Sequence, residues 1–294
     1  MEYGEFLQCV KERTLEAAGE GGTVTINHII KNNGCELDGL VIMEEGSNIS
    51  PTIYLNSFYN AYANGRELED IICEIVNIYT NNKDKISVTS DYFLDFENIR
   101  EKIVYKIVNY EKNKKLLEKI PFKRILDLAV VFYCIIEQGT DSNATALIYN
   151  SHLTSWNVTE EDIYNAAIEN TPILLKSTIR SMSSIVQELM DDSDDISDYE
   201  DGEMFVLTNN YRINGAACML YDDVLYNFAQ KIDCNLYILP SSIHEIILLP
   251  KLPEYNKADL EHMVREVNAE SVSHDEILSD RVYVYDRNTR MISL

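Results

Sequence analysis

Two side chains in the C-terminal half have the types that nucleophilic catalysis uses. Cys218 could serve as a thiolate nucleophile and His244 as its base. Asn214 or Glu245 could orient the imidazole ring. A catalytic thiolate needs an imidazolium beside it, often at a helix start, whereas Cys218 lies in the apolar run 216–220, which predicts a strand. A cysteine in such a strand packs as a small hydrophobe, so the pattern favours a structural role.

A serine, a histidine and an acid also occur together within residues 241–245. Ser242 with His244 would be the serine version of the same hydrolase chemistry. Two considerations weaken this interpretation. The pattern predicts a strand over Ile243–Leu249, on which His244 and Glu245 would face opposite sides. A serine in a turn also more often hydrogen-bonds to its own backbone.

The sequence predicts neither a metal site nor a cofactor site. The histidines lack metal-ligand spacing, and none of the eleven glycines forms a phosphate-binding loop. Residues 191–203 carry eight acids and no base, but Ile196 stands where a calcium loop needs an oxygen ligand. We interpret this segment as an acidic loop, with a weak divalent-ion site as the alternative.

The candidate residues lie in the most regular part of the chain, residues 204–294. Strand and helix patterns alternate there, which predicts a sheet with packed helices. Asp222 or Asp223 is expected to cap one helix and Asn256 another, because these side chains accept hydrogen bonds from free amides at helix starts. The predicted strands are Met204–Thr208, Ala216–Leu220, Asn235–Leu239, Ile243–Leu249 and an edge strand, Arg281–Tyr285.

The N-terminal part combines a hairpin with helices. Thr23–Ile30 alternates as a strand, and the Asn-Asn-Gly sequence at 32–34 predicts a hairpin turn, because asparagine and glycine tolerate positive φ. Apolar residues at three- and four-residue steps predict an amphipathic helix over 68–79. Another helix is predicted to begin at the Ser-Pro sequence 50–51, because proline suits the first turn of a helix.

Residues 100–124 differ from the rest of the chain in charge. Nine lysines or arginines stand against three glutamates there, whereas the whole chain has a net charge of −24. These bases could line a groove for an anionic ligand, or form a solvated helix face paired with acids elsewhere. The next apolar runs, Ile125–Ile136 and Ala144–Tyr149, predict buried strands, although the first could be a helix. Together the patterns predict an α+β protein with mixed sheets in two lobes, 1–118 and 119–294.

Charge and composition restrict the partners of the protein. The net charge of −24 disfavours direct binding to nucleic acid or anionic membranes and favours a basic protein partner. The longest apolar run is too short to span a bilayer, and the first residues lack a signal-peptide pattern. Because the six cysteines have no paired spacing, we expect free thiols and a cytoplasmic location. The nineteen tyrosines could cap the core or form a contact surface.

Several short segments of the sequence form a distinctive combination. They are Lys31–Gly34, Leu37–Leu40, Asn48–Leu55, Glu169–Pro172, Leu207–Asn209, Asn214–Ala217, Leu239–Glu245 and Leu278–Asp280. In this combination the chain resembles, over roughly residues 25–286, an uncharacterised family of gut Firmicutes catalogued as domain of unknown function 5688. The resemblance implies a bacterial cytosolic protein and brings no activity or catalytic residues with it.

We therefore interpret the protein as a non-enzymatic module that binds another protein. Missing catalytic signatures, the acidic charge and the excess of tyrosine support this hypothesis. The first alternative is a hydrolase that uses Cys218 or Ser242 with His244. The second is an acidic surface that imitates nucleic acid and occupies a DNA-binding partner.

Overall fold

The computed structural model describes residues 1–18, 22–43, 50–82, 93–138, 143–190 and 204–294. The predicted acidic loop, residues 191–203, lies outside the described residues. The chain divides into two compact units. Unit 1 comprises Met1–Ile99 with Ile135–Thr145, and unit 2 comprises Arg100–Cys134 with Ala146–Leu294. Residues 118 and 119, where the sequence places the lobe boundary, both lie in unit 2.

Unit 1 packs helices against a three-stranded antiparallel sheet of order β1-β2-β3. The predicted hairpin is confirmed, and its turn places Asn33 and Gly34 at φ angles of 57° and 71°. Positive φ is easily reached by glycine and by asparagine, which explains the turn. Its elements are α1 (Tyr3–Ala18), β1 (Thr23–Ile30), β2 (Glu36–Met43), β3 (Thr52–Tyr54), α2 (Asn56–Ala63), α3 (Leu68–Asn82) and α4 (Phe96–Ile99).

The core of unit 1 joins the apolar faces of α1 and α3 to the sheet. Phe6 from α1 and Ile71 from α3 are fully buried, as is Leu40 of β2. The helix predicted from Ser-Pro at 50–51 is wrong at its start, because Ile53 pairs with Leu40 as part of β3 and the helix begins at Asn56. Burial of Ile53 in the sheet outweighs the local proline signal.

Unit 2 contains a sheet of order β4-β6-β5, in which β6 pairs through Leu128–Cys134, and a six-stranded sheet of order β13-β12-β10-β11-β9-β8. The residues of β6 and β7 that fall within Ile135–Thr145 belong to unit 1. A 3-10 helix, Gly215–Leu220, precedes α9. The other elements are β4 (Ile103–Asn109), α5 (Lys114–Leu117), β5 (Phe122–Ile125), β6 (Leu128–Gln138), β7 (Asn143–Leu147), α6 (Asn150–Trp156), α7 (Glu160–Leu174), β8 (Ser177–Ser181), α8 (Met182–Met190), β9 (Phe205–Asn209), α9 (Val224–Lys231), β10 (Leu236–Leu239), β11 (Ile246–Pro250), α10 (Lys257–Glu270), β12 (Tyr283–Asp286) and β13 (Met291–Ser293).

Helices pack on the six-stranded sheet through aromatic and aliphatic side chains. The rings of Phe205 on β9 and Phe228 on α9 lie 4.9 Å apart in an edge-to-face arrangement. Leu260 and Val264 of α10 join a cluster with β10 and β11 that includes Tyr237. Burial of these apolar surfaces supplies the main driving force for the fold.

The α+β class is confirmed, and strands are confirmed at β6, β9 and β10. The registers of the described pairs are antiparallel, where mixed sheets were predicted. The predicted strand Ala216–Leu220 is wrong, since this run forms the 3-10 helix. The edge position predicted for Arg281–Tyr285 is also wrong, because β12 lies between β10 and β13. The predicted strand Ile243–Leu249 begins only at Ile246, so His244 precedes β11.

Candidate functional site

Three loop segments of unit 2 are joined by hydrogen bonds and hold the candidate residues. We call residues 208–216, 240–245 and 276–279 the loop junction. The first two segments are joined by the Ala216 amide, which donates to the Ile243 carbonyl. The second and third are joined by the Ile243 amide, which donates to Glu276, and the Leu278 amide, which donates to Ser241.

Gly215 lies where two of these segments approach most closely. A Cβ atom added there would stand 2.2 Å from Thr208 Oγ1, 2.5 Å from the His244 carbonyl oxygen and 2.7 Å from the Asn209 amide nitrogen. Two of those three atoms belong to backbone and cannot rotate away. The position therefore needs glycine for close approach of the chain.

Cys218 is fully buried in the 3-10 helix. Its thiol donates to the Thr208 carbonyl at 3.4 Å. Burial raises the pKa of the Cys218 thiol to about 12, so the thiol stays protonated at neutral pH. A protonated, buried thiol is a poor nucleophile, and this geometry suits a packing role.

His244 uses both ring nitrogens inside the loop junction. Nδ1 accepts a hydrogen bond from the Asn214 amide at 3.2 Å. Nε2 lies 3.4 Å from Glu276 Oε1. The acceptor role of Nδ1 requires the proton on Nε2, where it faces the carboxylate. Asn214, one of the two residues that the sequence offered as the orienting group, thus contacts the ring through its backbone amide, and Glu276, which sequence reasoning missed, lies at the other ring nitrogen.

Ser242 contacts the backbone of His244 rather than its ring. Its hydroxyl oxygen accepts the His244 amide at 3.0 Å, which is the local bond expected of a turn serine. Glu245 is exposed and points to a different part of the surface, a cleft beside Thr208. The structure thus brings His244 to Glu276, with Ser242 holding the turn and Cys218 bound to Thr208.

The basic segment forms β4, α5 and β5 rather than one continuous helix. Lys123 pairs with Glu161 at 3.0 Å, and Lys114 pairs with Glu111 at 2.6 Å. The Arg124 guanidinium lies 4.1 Å from the centroid of the Tyr110 ring. These contacts fit the solvated and paired interpretation of the segment better than a groove for an anion.

A hollow of about 690 Å³ on unit 2 brings tyrosines and aspartates together. We call it the tyrosine–aspartate hollow. The Arg290 guanidinium lies 3.5 Å from the centroid of the Tyr226 ring and 3.0 Å from Asp223 Oδ1. Asp222 is exposed beside it. The walls are Ile125, Met219, Leu220, Tyr221, Asp222, Asp223, Leu225, Tyr226, Tyr285, Arg290, Met291 and Ile292.

Sequence reasoning missed this hollow, although it named Asp222 and Asp223 as candidate helix caps. Asp223 does precede α9, but its side chain makes no capping hydrogen bond, and its backbone has a φ of 60°. Because the carboxylate is not used by the helix, it is available to pair with Arg290. The residues of the wall come from five separate elements, namely β5, the 3-10 helix, α9, β12 and β13, so no local pattern could have joined them.

Among the described ranges, no group of three or more histidine, cysteine and acidic side chains is arranged to hold a metal ion. The same ranges contain no helix with the length and apolarity needed to cross a bilayer.

The sequence profile of one protein family matches residues 3–287, nearly the whole chain. The protein belongs to the family of unknown function DUF5688. The resemblance to domain of unknown function 5688 is thereby confirmed. Four of the eight short segments that carried the resemblance of this DUF5688 protein meet in space, because Thr208, Gly215, His244 and Leu278 all take part in the loop junction.

A second comparison gives a partial match for this DUF5688 protein. It is 27% identical over 147 residues to a protein named Putative helicase 7 of Sulfolobus islandicus filamentous virus (isolate Iceland/Hveragerdi). The match covers 48% of this chain and 24% of the viral protein, so the chain spans about a quarter of that relative's length. No solved structure matches the chain.

Proposed function

We propose that this protein binds a basic segment of another protein and does not itself catalyse a reaction. The observation that carries the proposal is the tyrosine–aspartate hollow, which already holds one guanidinium, that of Arg290. Arg290 meets an aromatic face and a carboxylate at the same time. Both contacts favour a cation, the first through the ring quadrupole and the second through charge.

The hollow has capacity for a further cation. Asp222 is exposed and has no basic partner among the described residues, and the rings of Tyr226 and Tyr285 line the same space. Tyrosine and arginine are enriched at protein contacts because they combine large apolar area with directed polar groups. An arginine or lysine of a partner would therefore find a second carboxylate beside an aromatic wall.

The charge of the whole chain supports the same partner class. A net charge of −24 attracts basic proteins from a distance, and such steering weakens as salt screens it. It also opposes direct contact with nucleic acid and anionic membranes. The proposal places this meeting in the bacterial cytoplasm, as the sequence resemblance implies.

A defined peptide pair tests the hollow directly. A fluorescent arginine-containing heptapeptide should bind the full chain at low salt, and the same peptide with citrulline should bind at least about tenfold more weakly. Asp222→Asn should weaken binding of the arginine peptide, whereas Glu270→Gln, at the exposed end of α10, should not. Equal binding of both peptides would reject the proposal. Capture of proteins from host lysate at low and high salt would then identify the natural partner.

A hydrolase remains the second candidate because His244 pairs with Glu276 at 3.4 Å. An acid beside a histidine is a frequent part of nucleophilic sites. Ser242 bonds to the backbone of His244 rather than to its ring, and the buried Cys218 thiol donates to Thr208. The hydrolase therefore has less support than the binding function. Hydrolysis of a simple nitrophenyl ester that falls at least about a hundredfold in His244→Ala, without unfolding, would favour the hydrolase.

The nucleic-acid mimic is the remaining alternative. It requires carboxylates spaced like phosphates along one face, whereas the hollow mixes Asp222 and Asp223 with Arg290. Competition between the protein and duplex DNA for a DNA-binding partner would support the mimic.

A further inference from the structure

A second concavity of unit 2, distinct from the hollow, has the opposite charge character. It is a cleft of about 440 Å³, within the range of about 300–1,000 Å³ typical of small-molecule sites. We call it the arginine cleft. Strands β8, β9 and β11, helix α8 and the turn after β9 form it. Its residues are Thr178, Arg180, Met182, Ile185, Val206, Thr208, Asn209, Asn210, Arg212, Glu245 and Ile247.

Arg212 is presented to this cleft by a tightly held turn. The Asn209 side chain, only 1% exposed, accepts the Tyr211 amide at 3.0 Å and donates to the Ile213 carbonyl at 2.8 Å. The Arg212 amide donates to the Asn209 carbonyl, and Arg212 has a φ of 55°. An arginine in the left-handed region is uncommon, and such conformations concentrate at functional sites.

The charged groups of the cleft differ in whether they form an ion pair. Arg180 is paired with Glu188 at 2.7 Å. Arg212 is exposed and has no acidic partner among the described residues, and Glu245 has no basic one. One cation and one anion are thus available on the rim of the same cleft. Their presence calls for a ligand that carries both charges.

The floor of the cleft is apolar. Val206 on β9 and Ile247 on β11 lie on adjacent strands in paired register, and both are partly exposed. Met182 and Ile185 of α8 add to the apolar wall. A ligand that covers these side chains would gain from removal of apolar surface from water.

We propose that the arginine cleft binds an apolar amino acid or dipeptide in its zwitterionic form. The ligand carboxylate pairs with Arg212, its ammonium group pairs with Glu245, and its apolar side chain lies on Val206 and Ile247. Guanidinium is the side chain best suited to a carboxylate, because it donates two parallel hydrogen bonds. This inference is independent of the proposed function, since it concerns another concavity and another ligand class.

Calorimetric titration of the full chain tests the assignment. The probes are L-leucine, L-leucyl-L-leucine, L-leucinamide, which lacks the carboxylate, and 4-methylpentanoate, which lacks the amine. Leucine or the dipeptide should bind, and the tighter of the two identifies the ligand size. The amide should bind about 10- to 100-fold more weakly, and 4-methylpentanoate should also lose affinity. Absence of binding by both leucine and the dipeptide at millimolar concentration overturns the proposal.

Variants locate the site. Arg212→Asn keeps a residue that tolerates the left-handed backbone, and it should reduce leucine affinity by the same 10- to 100-fold. Glu245→Gln should reduce affinity for leucine but leave that for 4-methylpentanoate unchanged. Arg265→Gln, on the exposed face of α10, is the matched control. Unchanged leucine binding in a folded Arg212→Asn protein would place any binding elsewhere and overturn the assignment.

Discussion

The tyrosine–aspartate hollow and the arginine cleft lie at opposite ends of one six-stranded sheet. The hollow uses β12 and β13 at one end, and the cleft uses β8, β9 and β11 at the other. Both have apolar walls, but the hollow places its unused carboxylate beside tyrosines, whereas the cleft places an unused guanidinium beside an amide-rich turn. The comparison shows that net charge is a poor guide to the ligand of an individual site. A chain of net charge −24 still presents an arginine without an acidic partner among the described residues, Arg212, at one end of this sheet.

A third feature, the segment Gly215–Met219 of the 3-10 helix, differs from both concavities because its residues are buried. The 3-10 helix Gly215–Leu220 connects them, because it begins at Gly215 beside the cleft residues Thr208 and Asn209 and ends with Met219 and Leu220 in the wall of the hollow. Substitutions in this helix should therefore affect ligand binding at both concavities. A substitution on the rim of one concavity should affect binding at that concavity alone.

The largest contrast expected is in thiol reactivity between this buried segment and the surface. Cys73 is exposed on α3, whereas the pKa of Cys218 is about 12, so roughly one Cys218 thiol in 10,000 is ionised at pH 8. Alkylation with iodoacetamide, followed by peptide mapping, should modify Cys73 at least about a thousandfold faster.

Comparable alkylation rates for the two cysteines in folded protein would contradict the burial of Cys218 and support the nucleophile hypothesis.

The contribution of Cys218 to folding stability depends on pH in one direction. The raised pKa means that the unfolded thiol ionises first, above about pH 8.5, while the folded thiol stays protonated. The contribution of Cys218 to stability is therefore complete below pH 8.5 and falls as the pH rises towards 12.

The next largest effect is expected for Gly215→Ala. The added Cβ would overlap two backbone atoms, so the variant should lose roughly 3 kcal/mol of unfolding free energy, measured by urea denaturation. Leucine and peptide binding should both weaken if the 3-10 helix connects the two ends. Gly4→Ala, where nothing lies within 4 Å, is the control and should change stability by less than about 1 kcal/mol.

A smaller effect is expected for Asp127→Ala. The Asp127 carboxylate accepts hydrogen bonds from Ser279 Oγ and from the buried Tyr283 hydroxyl, both at 2.7 Å. Loss of this acceptor should lower the unfolding free energy by about 2 kcal/mol. In a Tyr283→Phe background the loss should shrink, because one of the stranded donors is gone. Equal losses in the two backgrounds would argue against this pairing.

The smallest predicted effect concerns peptide binding at the hollow itself. Arg290→Gln removes the guanidinium that now lies on Tyr226 and frees Asp223. The arginine peptide should then bind about two- to fivefold more tightly, measured by fluorescence anisotropy, since an exposed cation–π contact is worth about 0.5–1 kcal/mol. Leucine binding at the cleft serves as the control and should stay the same. Weaker peptide binding would mean that Arg290 contributes to the partner contact.

The sequence anticipated elements that depend on local signals. The turn at 32–34 follows from Asn33 and Gly34. The helix start at Asn256 follows in the same way from a side chain that accepts the Ala258 amide. These features involve neighbours within a few residues, so composition is sufficient to predict them.

Features that depend on distant partners were not predictable. The run 216–220 is apolar throughout, and such a run does not distinguish a strand from a buried helical turn. Its conformation follows from the close approach of Gly215 to Thr208 at the end of β9 and to His244, which is remote in sequence. The concavities escaped prediction for the same reason, since Arg212 and Glu245 come from separate elements. Arg212 and Glu245 come to line the same cleft only once the sheet has assembled.

The crowding around Gly215 has a consequence for the comparison of family members. Where a relative carries glycine at the matching position, the backbone can pass as it does here, and the link between the two ends of the sheet can form. A relative with a larger residue there must reroute residues 208–209 or 244, and we expect it to have lost the cleft, the hollow or both. This single column of an alignment would then divide the family into proteins that retain both sites and proteins that do not.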